Sequence, residues 1–580
     1  MPVRINAATG QSLTGPAVKS YPPPAAWQGA VHTISENRGG FTVWDSDMRF
    51  AVTLFALVAA AIVGAWSWLG AEVEMPQAPA GAAGRLDCVS YAPFRGDQNP
   101  LGPGTMVEPW QIEADLAQLR PLTNCVRTYS IDHGLDKIPE IAKRHGMKVL
   151  HGLWLSNQPE LNRRQIATTI ELANKFPDVI EAVIVGNEVL LRGEMSAPEL
   201  ARTIREVKAK VPMRVTYADV WEFWLRHRDV AAAVDFISVH ILPYWEDHPI
   251  PVDQAARHVD LIRKQVVAAF PDKEIFIGEF GWPSAGRMRE GALPSPVNAA
   301  RVLQEVVALG KREGYRVNLI EAYDQPWKRK LEGTVGGFWG LYDAYERKAK
   351  FVWGAPVSNQ PSWRWQAAGG VAFAALVFAA AIAASRRRPP PTTRLWVLVA
   401  VNAAVAGILI GWTIRNISIE SLSAIDWIRS LSWAVVAFAA PIVGAAALVS
   451  GIRVPNFASI LGRGAAVPTD RIAFALGGLL VVLVVLAVQG ALGLVFNPRY
   501  RDFPFTALTG AAIPFVVLMT AWPTRKDIRA NAETVAAGAL VLCAGYIALS
   551  ETFANWQSLW FCAGLIALAI SLLPGRAAPG

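Results

Sequence analysis

Two glutamates, each closing an apolar run of strand character, are the residues of this chain best placed to do chemistry. Glu188 ends Val183-Ile184-Val185-Gly186-Asn187-Glu188, and Glu279 lies in Ile275-Phe276-Ile277-Gly278-Glu279-Phe280-Gly281-Trp282-Pro283-Ser284. Cleavage of a glycosidic bond needs such a pair on separate strands: one carboxyl protonates the leaving oxygen while the other attacks or stabilises the sugar cation. Glu321 and Asp219 lack comparable flanks and read as structural. His240, near a strand end, reads as a packing histidine. There is no His-Glu-x-x-His and no cysteine cluster with metal-ligand spacing, so neither a metal nor an organic cofactor is expected.

The elements that must carry these residues are legible between positions 86 and 353. Short apolar runs at Asp87–Ala92, Cys125–Ser130, Lys148–Leu155, Val179–Asn187, Met213–Ala218, Asp235–Leu242, Glu274–Gly281 and Val317–Tyr323 alternate with helical stretches such as Gly134–His145, Ala197–Lys210, Val252–Phe270 and Asn298–Gly314. That alternation predicts an α/β (β/α)8 TIM barrel. An open doubly wound sheet is the competing topology, and no Gly-rich phosphate fingerprint follows the first run. In a barrel, active residues gather where strands end. Glu188 closes candidate strand 4 and Glu279 lies near the end of strand 7, so residues about ninety positions apart converge on one bond. Aromatic residues at the strand ends, Tyr244 and Trp282 foremost, suit the apolar faces of pyranose rings.

The remainder of the chain explains its 52% hydrophobic content and mean hydropathy of +0.27. Residues 1–49 read as a cytoplasmic tail, 50–70 as a transmembrane anchor, 71–85 as a Pro/Ala/Gly linker, 86–353 as the barrel, 354–364 as a second linker, and 365–580 as a polytopic membrane domain. Seven apolar segments fall in that last region, near 366–385, 395–414, 431–450, 472–496, 505–522, 535–550 and 557–573. Loops on one side carry Arg386, Arg387, Arg388, Arg394, Arg453, Arg463, Arg471, Arg525, Lys526 and Arg529, whereas the other side has only Arg415, Arg429, Arg499 and Arg501. Short cytoplasmic loops collect Lys and Arg, so eight spans with both termini inside are expected. The barrel then lies outside the cytoplasm, in the periplasm of a cell with two membranes. The net charge of +8 follows from the same loop bias and predicts no nucleic-acid partner; membrane lipid is the expected surround. The outer segment Arg499-Tyr500-Arg501-Asp502-Phe503 is placed to meet the barrel or glycan. Cys88 and Cys125 open neighbouring candidate strands, and a disulfide or two buried thiols both fit.

The motifs Gly186-Asn187-Glu188-Val189 and Gly278-Glu279-Phe280-Gly281-Trp282-Pro283-Ser284 resemble the acid/base and nucleophile motifs of family 17 glycoside hydrolases, β-1,3-glucanase-like barrels, over roughly residues 86–353. The resemblance implies Glu188 as general acid/base, Glu279 as nucleophile, Asn187 as a ligand of the sugar 2-hydroxyl, and Tyr244, Lys328 and Glu332 as further substrate-binding residues. Where the plant-type motif has an acidic residue this chain has Gln325. The implied substrate is a β-glucan or oligosaccharide, cleaved with retention through a glycosyl-enzyme. Permanent attachment to a membrane suits remodelling of the cell's own polymer, as in bacterial β-(1,3)/(1,6)-glucan synthesis proteins with similar domains, and implies a glucan-synthesising glycosyltransferase as partner. A hydrolytic endo-β-1,3-glucanase is the nearest alternative, and a non-catalytic glycan-binding module of a transport assembly is the alternative of another class.

Overall fold

The computed structural model describes residues 38–76, 84–386, 390–462, 467–522 and 531–573. Eight parallel strands close a barrel: β1 Cys88–Ser90, β2 Cys125–Arg127, β3 Lys148–Leu153, β4 Ile180–Asn187, β5 Arg214–Val220, β6 Ile237–His240, β7 Ile275–Phe280 and β8 Val317–Leu319. Each strand pairs with the next in sequence, and β1 closes the ring on β8 through Cys88 opposite Asn318 and Val89 opposite Leu319. Strands sheathed by helices outside and packed inside must be apolar on both faces, and β7 is buried at every position. The helices supply the other half of that core. Ala197–Lys208, for example, buries Leu200, Ala201, Ile204 and Val207, the stripe expected of a 3.6-residue period.

The expected strands are all present; most are shortened at their ends, while β5 runs to Val220, two residues past the expected Ala218. The last run leaves the ladder after Leu319, where the Ala322 amide instead donates to the Ser90 carbonyl at 2.9 Å. Cys88 and Cys125, at the starts of adjacent strands, are joined by a disulfide with Cα atoms 4.5 Å apart, which settles the alternative the sequence left open. Closing a loop of 37 residues restricts the unfolded chain, an effect worth about 4 kcal/mol in the chain-entropy account.

The membrane region is helical. The first helix runs Arg38–Leu69, of which Met48–Leu69 is the 22-residue apolar part. It therefore begins earlier than the expected anchor at 50, because polar residues continue the helix on its N-terminal side. Among the described residues, seven long helices follow the barrel: Trp363–Ser385, Thr393–Glu420, Ala424–Val449, Arg471–Phe496, Phe505–Ala521, Asn531–Glu551 and Trp556–Leu572, with the one-turn Phe457–Ile460 between the third and fourth. Six of these eight helices, counting the first, are long and apolar enough to cross a membrane; Phe505–Ala521 and Trp556–Leu572, with 17 residues each, are the shorter pair. Small residues allow close approach. A Cβ on Gly370 would lie 2.3 Å from the Gly407 carbonyl of the next helix. The expected linker tract from 77 to 83, residues 1–37 of the tail, and Arg387, Arg388, Arg463, Arg525, Lys526 and Arg529 lie outside the described residues.

The segments that enter and leave the barrel are tied together. Glu72–Val73 pairs antiparallel with Val357–Ser358, and the Ser358 hydroxyl donates to the Gly70 carbonyl at 2.9 Å. Two helix C-termini and one interhelical loop of the bundle meet the barrel. Arg329 donates to the Ile419 carbonyl, Thr334 to Asp502 at 2.5 Å, and Arg287 pairs with Glu551.

Candidate active site

The polar groups collect at the C-terminal mouth of the barrel, where β2, β4, β6 and β7 end. Arg127 on β2 is the hub. Its guanidinium donates to the Gly278 carbonyl at 2.7 Å and to Asn187 Oδ1, and lies 3.1 Å from Glu279 Oε1. A buried cation survives only when charge and acceptors meet most of its donors; here both terminal nitrogens are met, and Nε alone is left without a partner. Tyr129, two residues on, donates its hydroxyl to Glu279 Oε1 at 2.8 Å. Glu279, on β7, is 4% exposed. The preceding Gly278 admits the site because a Cβ there would strike Ser238 Oγ at 2.1 Å.

Glu188 follows β4 on a backbone turn with φ 51°, a left-handed conformation costly for a residue with a Cβ, reached two residues after Gly186 at φ 87°. The turn is held from several sides. The Glu188 amide donates to the Ala218 carbonyl at 2.8 Å, the Leu190 amide to the Tyr217 hydroxyl at 3.0 Å, and Arg192 to the Leu155 carbonyl at 2.8 Å. Its side chain remains 24% exposed, toward the cleft.

His240, the last residue of β6, joins the two glutamates. Its Nδ1 is 2.9 Å from Glu188 Oε1, and its Nε2 is 3.3 Å from the Arg127 guanidinium and 3.5 Å from Glu279 Oε1. Arg127 has only donors to offer, so Nε2 accepts and Nδ1–H donates to Glu188. One oxygen of each glutamate and a ring nitrogen of His240 all lie within 4.8 Å of one another. These atoms are also a cation-ligand set, but Arg127 already delivers a permanent positive charge to the Glu279 oxygen.

Burial pushes the Glu188 carboxyl up, but the hydrogen bond and electrostatic attraction of the His240 N–H, with the charges of Arg192 and Arg127, outweigh it and hold the group below the usual carboxylate range. Glu332 moves the other way: burial raises it against Lys328, and the charges of Glu188 and Glu279 raise it further. Lys328 donates to both oxygens of Glu321 at 3.0 and 3.1 Å. Burial pushes Glu321 up to about 7 despite that partner.

Of the residues anticipated from sequence, Glu188, Glu279 and Asn187 meet around Arg127, and Lys328 and Glu332 stand at the edge of the same mouth. Tyr244 and Trp282 sit deeper. Tyr244 is 0% exposed with its hydroxyl spent on the Arg287 carbonyl at 2.8 Å, and Trp282 is 1% exposed with its indole N–H on the Leu293 carbonyl at 3.1 Å. They form the wall behind the cleft, stacked edge to face at 6.3 Å, and not its lining. Glu321, expected to be structural, forms an ion pair with Lys328, and Asp219 accepts from the Tyr217 hydroxyl. Arg127 and His240 were the residues the sequence reading passed over or set aside. The available signal was a charged or titratable residue closing an otherwise apolar strand, Cys125-Val126-Arg127 and Ile237-Ser238-Val239-His240.

Comparison with known proteins assigns the barrel. The BtgE/BtgC glycoside hydrolase domain matches residues 88–340. A glucan 1,3-beta-glucosidase of Arthroderma benhamiae is 30% identical over 262 residues, covering 41% of this chain and 82% of that protein. One of Candida albicans is 24% identical over 263 residues, covering 42% and 85%. Among solved structures, the family 17 β-1,3-glucanosyltransferase of Rhizomucor miehei aligns at 26% identity over 46% of this chain and 95% of that one, with a TM-score of 0.41. An active-site mutant of the Rhizomucor miehei β-1,3-glucanosyltransferase, in complex with laminaritriose, aligns at 25% identity over 46% and 98%, with a TM-score of 0.40. The chain belongs to the BtgE/BtgC glycoside hydrolase family, and its barrel is a glycosidase or transglycosylase domain.

Proposed function

We propose that the chain is a membrane-embedded, retaining β-glucan-active enzyme in which Glu279 is the nucleophile and Glu188 the general acid/base. The observation that carries the reading is the meeting of the two carboxylates: oxygens within 4.8 Å of each other fit the short separation of a retaining pair and fall below the roughly 6.5–9.5 Å of an inverting one, which suits double displacement. Similarity to glucan 1,3-beta-glucosidases supports a β-glucan as substrate.

The two environments suit two roles. Glu279 receives Tyr129 and Arg127 on one oxygen, contacts that hold the carboxyl in place and aim it at the anomeric carbon. Glu188 is the more exposed of the pair and reaches the leaving oxygen. As a carboxylate held low by His240 it stands ready as a base; to act as an acid it takes up a proton when bound sugar excludes water and strengthens the effect of burial. Once Glu279 is esterified its negative charge is gone, and Glu188, having given up its proton, deprotonates the acceptor. Asn187 spends its side-chain oxygen on Arg127, leaving its NH2 group for the sugar 2-hydroxyl. Lys328 and Glu332 bind substrate at the rim.

The acceptor is a sugar hydroxyl, making the enzyme a glucanosyltransferase of β-(1,3)/(1,6)-glucan synthesis or remodelling that works beside a glucan-synthesising glycosyltransferase. Permanent attachment through apolar helices supports this over foraging hydrolysis. The Cys88–Cys125 disulfide supports a barrel in an oxidising compartment outside the plasma membrane, periplasmic where there are two membranes. Full-length protein incubated with laminari-oligosaccharides is expected to yield products longer than the substrate, resolved by linkage-sensitive NMR. Shorter products alone would make it an endo-β-1,3-glucanase.

A further inference from the structure

The active mouth of the barrel faces the membrane domain. The loops that follow β6, β7 and β8 all touch interhelical loops of the bundle. Arg287, after β7, donates to the Arg501 carbonyl at 2.8 Å, and the Met288 amide donates to Gln557 at 3.1 Å. After β8, the Gly333 backbone packs so close that a Cβ there would lie 2.3 Å from the Tyr500 carbonyl. After β6, Trp245 stacks on Trp339 at 6.3 Å and meets the Tyr500 ring edge to face at 6.5 Å, with the Arg499 guanidinium 5.5 Å from the Trp245 ring. An aromatic rim at the catalytic mouth thus includes one residue from the membrane domain.

Behind this contact lies a cavity of about 480 Å³, within the range of roughly 300–1,000 Å³ typical of ligand sites. One wall is the turn Arg329–Glu332 of the barrel; the others are the ends of membrane helices, with Asn416, Glu420, Trp433 and Asn497. The same turn carries Glu332, which feels the charges of both Glu188 and Glu279, so one short segment reaches from the cavity wall to the catalytic mouth. Among the described residues the side chains of Asn416, Asn497 and Glu420 make no hydrogen bond, leaving donors and acceptors unspent, although Glu420 feels the charges of Arg429 and Arg329.

We infer that this cavity, resting on the β-glucan reading above, is a glucan subsite supplied by the membrane domain, which holds the part of the chain extending from the catalytic pair toward the bilayer. The lining chooses the ligand class. Arg329, Lys330, Arg429 and Arg501 are interspersed with Glu420, Asp426 and Asp502, a nearly balanced set of donors and acceptors that fits a neutral polyol. A phosphate headgroup would meet three acidic side chains among the four basic ones, so the lining does not single out an anion. Trp433 adds a flat apolar face for a pyranose ring.

The test uses the full chain in detergent micelles and compares kcat/KM on laminariheptaose with that on laminaritriose. The double variant Asn416→Ala/Glu420→Gln and, separately, Tyr500→Ala are expected to lower the ratio of the two by about tenfold, the loss of one good sugar contact, with an unchanged melting temperature showing that the fold persists. An unchanged ratio in folded variants overturns the subsite while leaving the β-glucan reading intact. Variants that lose bound phosphatidylglycerol but keep the ratio overturn it in favour of a lipid headgroup. Absence of cleavage by the unsubstituted chain on both oligosaccharides removes the β-glucan reading and the subsite together.

Discussion

The mouth of the barrel and the interior of the helical bundle are both buried, yet they spend burial differently. At the mouth, Arg127, His240 and Tyr129 are enclosed with their polar atoms directed at one another and at two glutamates. In the bundle, burial is achieved with small residues: Gly370 against Gly407, and a Cβ on Gly444 would lie 2.4 Å from Pro514. Asn402, one of the few polar side chains there, donates to the Pro441 carbonyl at 2.8 Å. Networked polar groups can hold protonation states and move protons; close-packed small residues can only hold helices together. Chemistry is therefore to be sought at the mouth and where the bundle touches it.

Substitutions that sharpen this contrast differ in size and in readout. Glu279→Gln removes the attacking oxygen and is expected to lower kcat on a β-glucan by roughly a thousandfold or more while the protein stays folded. Arg127→Lys keeps the charge but loses the planar fork that reaches Asn187, Gly278 and Glu279 together, and is expected to cost about ten- to a hundredfold in kcat/KM. In the bundle, Gly370→Leu is expected to act on stability instead, lowering it by about 1–3 kcal/mol because the new side chain meets the Gly407 backbone; a thermal unfolding scan in detergent reads this. A comparable activity loss with unchanged stability in that variant would break the contrast.

The smallest effect expected is a displacement in pH. Glu188 is pushed up by burial and held down chiefly by His240, so in His240→Ala burial prevails and its carboxyl rises. The alkaline limb of kcat/KM, where the acid loses its proton, then moves to higher pH. The stability linked to Glu188 has the depressed-carboxylate sign: present above its unfolded value and lost as pH falls through the lower folded value. In His240→Ala, where burial prevails, that sign reverses: the linked stability is present at low pH and is lost as pH rises through the raised folded value. A pH–rate profile that does not move would remove His240 from the control of Glu188.

The strand-end glutamates and the eight alternating elements were legible because both are local in sequence: an apolar run and the residue that closes it. Arg127 was not, since its meaning depends on partners 60 to 151 residues away at Asn187 and Gly278. His240 was visible as a residue but not as a bridge, because only barrel closure sets β6 between Glu188 and Glu279. Tyr244 and Trp282 were read as cleft-facing because aromatic type says nothing about depth; the hydrogen bonds of Tyr244 to Arg287 and of Trp282 to Leu293 place them in the wall. The helices of the bundle were legible from hydropathy alone. That the loop 499–503 meets the barrel depends on docking, which no local pattern encodes.

The central claim, one attacking oxygen at 279 and one proton carrier at 188 acting on a shared bond, is most directly tested by trapping. An activated 2-deoxy-2-fluoroglucoside of a laminari-oligosaccharide should leave a covalent sugar on the full-length protein, and peptide mass spectrometry should place it on Glu279 alone, with slower accumulation in Glu188→Gln. A label on another residue, or products of inverted anomeric configuration, would contradict the account.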